Sequence, residues 1–63
     1  MSKLYEDSLR LSIDMELRNI RTLLDWAEEA HEIRDKIQHV SQATRLLNCV
    51  NENLQALREG SGR

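Results

Sequence analysis

Glu28-x-x-His31 is the spacing in this 63-residue chain with the clearest chemical precedent. On a helix it sets a carboxylate and an imidazole on one face, as bundle metal sites do. His31, Asp35 and His39 continue by fours, so an unbroken helix would align them and a dimer would double the set. Bridging metals also need further inward-facing carboxylates. Here these residues fall on the polar side, away from Trp26, Ile33 and Ile37. They read as a solvated face with two ordinary histidines, and no metal site or cofactor is expected. The candidate nucleophiles fare no better. Ser8, Ser12 and Ser41 have no His–acid pair nearby in sequence, and no glycine-rich turn is present to cradle phosphate. Cys49 lies among Leu46, Leu47 and Val50 with no neighbouring lysine, at the edge of an apolar stripe. A chain this short does not readily enclose a water-excluding pocket, so no catalysis is expected.

Size and composition restrict the remaining classes. A single small core gives marginal stability at this length, and disulfides, metals or oligomerisation usually supplement it. Cys49 is the only cysteine, which excludes a bridge within the chain and suits a reducing, cytoplasmic setting. No signal-peptide core follows Met1-Ser2-Lys3, and no apolar run has membrane-spanning length. Oligomerisation, with itself or with another protein, is left as the means of stabilisation. The net charge of -2 gives no general attraction to nucleic acid or anionic lipid, so neither is an expected partner. With Tyr5 and Trp26 as the only aromatics, the core must be aliphatic, as in coiled coils and bundles.

Such a core calls for helices, and the periodicity supplies them. No glycine or proline interrupts residues 2–59, and Trp26, Ile33, Val40, Leu47 and Leu54 recur at intervals of seven. The apolar register slips, however. Ile13, Leu17, Ile20, Leu24 and Ala27 make one stripe, Trp26 to Val40 a second, and Val40 to Leu57 a third. A continuous helix would swing its apolar face round the axis at each slip, whereas a bend would fold two helices together. The polar stretch 34–42 is the predicted bend, with Ser41 as N-cap or Asp35 and Gln38 as a capping box. The sequence thus predicts a single all-α module: a lead-in over 1–8, helix A over 14–34, helix B over 42–58 and a flexible tail over 60–63. Gly60 is the expected C-cap.

Leu9, Leu11, Ile13, Met15 and Leu17 also alternate with polar residues, which is strand periodicity. A strand at 9–13 followed by two helices resembles the element order of ribbon-helix-helix DNA-binding dimers, with Arg10 and Ser12 facing outward. The pairs Glu6–Arg10 and Asp14–Arg18 support helix instead. The preferred architecture is an antiparallel two-helix hairpin that oligomerises into a helical bundle. One long coiled-coil helix is the alternative. The expected function is non-catalytic protein–protein binding as a small cytoplasmic adaptor, regulator or co-chaperone, partnered by itself or by an amphipathic helix of another protein. In size and class the chain resembles the small two-helix co-chaperones of bacterial secretion-needle subunits. A dimeric DNA-binding regulator and a purely structural coiled-coil oligomer are the other functional readings. The expected partner interface comprises Trp26, Ile33, Ile37, Val40, Leu47, Val50, Leu54 and Leu57. In helix B, the band from Ala43 to Leu57 is expected to pack on helix A and to leave one edge for a partner.

Overall fold

A computed structural model describes residues 3–61. Two helices, α1 (Lys3–Glu29) and α2 (Ile33–Ser61), pack against each other as a hairpin. The two-helix architecture is the expected one, but its boundaries differ. The chain reverses at residues 30–32 rather than within 34–42. Residues 3–8 are helical, so they are not a lead-in, and residues 9–13 lie within α1 rather than in a strand. Ser41 and the Asp35–Gln38 pair fall inside α2, which runs through Gly60 to Ser61 without a glycine stop. Residues 1–2 of the expected lead-in and 62–63 of the expected tail lie outside the described residues.

The two helices share one regular seam. Positions 6, 9, 13, 16, 20, 23 and 27 of α1, with Ala30 just beyond, are shielded from water. So are 36, 39, 43, 46, 50, 53, 57 and 60 of α2, with Ala56 beside them. Both series alternate by three and four, the spacing that keeps one stripe facing a partner helix in coiled-coil packing. Ile13, Ile20, Leu23, Ala43 and Val50 form the core, with Leu46 and Leu57 packed on it. Ala43 is 2% exposed, the most buried of the core residues. Thr22 and Thr44 satisfy their hydroxyls on the carbonyls of Arg18 and Val40, one turn back, and so do not interrupt the helices.

A reversal without glycine must satisfy the last carbonyls of α1 by other means. Lys36 does this from the first turn of α2. Its Nζ donates to the Ala27 carbonyl at 2.9 Å and to the Glu28 carbonyl at 3.3 Å. The ammonium also sits at the negative end of the α1 dipole, where the helix has no basic residue of its own. Asp35 in the first turn of α2 complements the opposite pole. Lys36 is therefore a tertiary cap, and Lys36→Met should leave two carbonyls without their donor. We expect a loss of about 1–2 kcal/mol, the cost typical of removing a charge-assisted hydrogen bond. Urea titration followed by circular dichroism should show it; an unchanged midpoint would mean water replaces the ammonium at no cost.

Candidate functional site: the aliphatic face of the hairpin

A hairpin seam leaves two long open sides. When one helix is reversed against the other, residues that follow the seam on α1 come to lie beside those that follow it on α2. Here these are Arg10, Leu17 and Leu24 of α1 with Ile33, Val40, Leu47 and Leu54 of α2. Leu17, Leu24, Val40, Leu47 and Leu54 are each 44–49% exposed, half covered by the seam and half open to solvent. Ile33 and the neighbouring Ile37 are more exposed still. The opposite side carries Ser12, Asn19, Gln42 and Cys49, all exposed, with Tyr5, Met15 and Trp26 as large apolar residues. One side thus carries an aliphatic strip that runs about 30 Å along α2, from Ile33 to Leu54, on a hairpin 47 Å end to end. The other is largely polar.

The residues expected to contact a partner divide three ways. Ile33, Ile37, Val40, Leu47 and Leu54 line the aliphatic side. Val50 is buried in the hairpin core and Leu57 packs on that core, so neither is open to a partner as expected. Trp26 is 53% exposed on the polar side and does not continue the row through Ile33, because the reversal falls between them. Its ring meets the His39 imidazole edge-on, with centroids 5.8 Å apart and planes at 63°. Beside it, Asn19, Thr22, Leu23, Gln42, Arg45 and Leu46 complete an open groove of about 420 Å³. The expected interface omitted Leu17 and Leu24. Their fourfold and threefold spacing with Ile13 and Ile20 was visible, but it placed them in the internal stripe.

Within the seam, polar residues set alignment. Asn53 Nδ2 donates to Glu16 Oε1 across the helices at 3.0 Å, in a partly buried position. Asn51, two residues earlier, is exposed. Substituting Asn53 by leucine should strand the Glu16 carboxylate in the seam and cost about 1–2 kcal/mol. Adding Glu16→Leu should recover most of that loss, since replacing both partners by apolar groups is close to neutral. Thermal melts of the wild type, both single variants and the double variant would measure the coupling. Strict additivity would remove the pair from the account of the register.

The metal-like spacings are dispersed by the fold. Glu28 lies in the last turn of α1, His31 lies in the reversal, and His39 turns into the seam, where its Nδ1 is shielded without a hydrogen-bond partner. Among the described residues, no three His, Cys, Asp or Glu side chains come together as a metal site would require. Nor is any helix among them long and apolar enough to cross a membrane. Cys49 is a free, exposed thiol on the polar side. No family model matches the chain, and comparison with characterised proteins and with solved structures finds no match.

Proposed function

We propose that the chain is a non-catalytic protein–protein interaction module, a small helical adaptor, regulator or co-chaperone that works in the cytoplasm as an oligomer. The observation that carries this reading is the one-sided aliphatic strip. Five half-exposed Leu and Val side chains lie in rows along one face of the hairpin, while the reverse face mixes polar residues with Tyr5, Met15 and Trp26. Monomeric soluble proteins rarely expose contiguous apolar surface of this kind, and where they do it marks an interaction site. Heptad-spaced leucines on two adjacent helices leave a shallow trough between their ridges. A third or fourth amphipathic helix fits such a trough, with its own apolar residues at i, i+3, i+4 and i+7.

A photo-crosslinking residue at position 47, introduced into the chain in its native host, tests the reading directly. Crosslinked products from position 47, with little from position 42 on the polar face, are expected. Equal yields from both faces, or none from position 47, would overturn it.

A further inference from the structure

We infer that the occupant of the aliphatic face is a second copy of the same chain, laid on it with both reversals at the same end to form an isologous four-helix bundle. This rests on the interaction-module reading above and adds to it the identity and orientation of a partner. The first support is area. A compact monomer of 7.4 kDa would expose roughly 4,200 Å² by the usual size scaling. The hairpin exposes 5322 Å². The excess, roughly 1,100 Å², exceeds the ~800 Å² that each partner contributes to an interface of standard size. Among the described residues no large side chain is fully buried, which is what half of a bundle core would show.

The second support is charge. The Glu16–Asn53 bond and the Lys36–Ala27 bond fix which residues of α1 and α2 stand at the same height. A two-fold axis parallel to the helices preserves those heights, so α1 of one copy would lie along α2 of the other. Outside the leucine rows, Asp7 would then face Arg58, Asp14 would face Asn51, and Arg21 would face Thr44. Among these pairs no like charges meet, and Asp7 with Arg58 gives an opposite pair at each edge; Arg10, at the open end of the inward row, lies across the axis from its own copy. A two-fold axis perpendicular to the helices would lay α1 on α1 of the second copy instead. Bringing Leu17 opposite Leu24 in that arrangement sets Arg21 against Arg21 and Asp14 against Glu28. Like charges so juxtaposed disfavour the arrangement. An isologous contact uses the same face of both copies, so association closes at two copies and does not propagate.

Analytical ultracentrifugation of the full chain at tens of micromolar should give twice the chain mass. Leu24→Lys with Leu47→Lys should halve it, whereas Asn19→Lys on the polar face should leave it unchanged. The double variant could lose its fold along with its partner, so a distance in an unperturbed interface decides. With Cys49→Ser and His31→Cys, nitroxide labels in the reversal should lie about two helix diameters apart, ~20 Å, in the dimer. Labels separated by a whole helix length, ~40 Å, would overturn the proposed orientation. A monomeric wild type, or a dimer that survives both lysines, would overturn the second copy as the occupant. If such a monomer still crosslinked another protein through position 47, the interaction-module reading would stand. If position 47 captured nothing, both would fall.

Discussion

Replacing Ser41 by proline should unfold this protein, whereas proline at Ile33 should leave it folded. Ser41 lies within α2, eight residues from its start, so the ring would remove a backbone hydrogen bond and clash with the preceding turn. The cost is about 3 kcal/mol or more. A single core of this size rarely supplies more than about 3–5 kcal/mol in all, so little helical structure should survive. Ile33 is the first residue of α2 and is 72% exposed. Its amide has no intrahelical carbonyl to bond, and proline is favoured at first helical positions. The residue before it, Glu32, already lies outside both helices and can take the extended backbone that proline imposes. Circular dichroism at 222 nm with urea melts of the two variants gives the comparison. A folded Ser41→Pro protein beside an unfolded Ile33→Pro protein would move the reversal back toward 34–42.

Helix content and the hairpin were legible because both rest on local signals: an uninterrupted run free of glycine and proline, and apolar residues in register. The position of the reversal was not, because its cap is tertiary. Nothing in the sequence around Ala27 and Glu28 announces that Lys36 will return to their carbonyls. Ser41 and Asp35 matched local capping rules and were overruled by packing across the seam. The strand-like alternation from Leu9 to Leu17 failed for a related reason. Over this short stretch it falls on helical positions of three kinds: Leu9 and Ile13 on the seam, Leu11 and Met15 on the surface away from it, and Leu17 on the aliphatic side.

The faces were harder still to read, because the chain carries more apolar residues than one seam can take. In α1, Leu17 and Leu24 compete with Glu16 and Leu23 for the inward stripe, and hydrophobicity alone favours the leucine at 17. The seam takes Glu16 because Asn53 stands opposite to donate to it, a pairing visible only once the helices are aligned. In α2 the wide band between Ala43 and Leu57 was read as core with one edge left for a partner. The fold divides it: Ala43, Leu46, Val50 and Leu57 turn inward, and Leu47 and Leu54 are left outside. That surplus is the physical content of the candidate site.

Dilution should therefore melt this protein. Six apolar residues are buried in the hairpin, against twelve large ones left exposed, so an isolated copy has little to set against the conformational entropy of ordering two long helices. Covering Leu17, Leu24, Val40, Leu47 and Leu54 would bury the open half of each. At about 25 cal/mol per Å² of apolar surface, this is of order 1 kcal/mol for each side chain. Summed over two copies, such a gain rivals the total stability of many small domains. Folding and association would then be one transition, linked by mass action. A hundredfold dilution should remove about 2.7 kcal/mol from the folded dimer, and for helices this short the melting temperature should fall by many degrees. Thermal melts by circular dichroism across that concentration range, read beside the sedimentation mass at each point, give the test. A constant melting temperature together with a monomeric mass would show that the seam alone holds the hairpin.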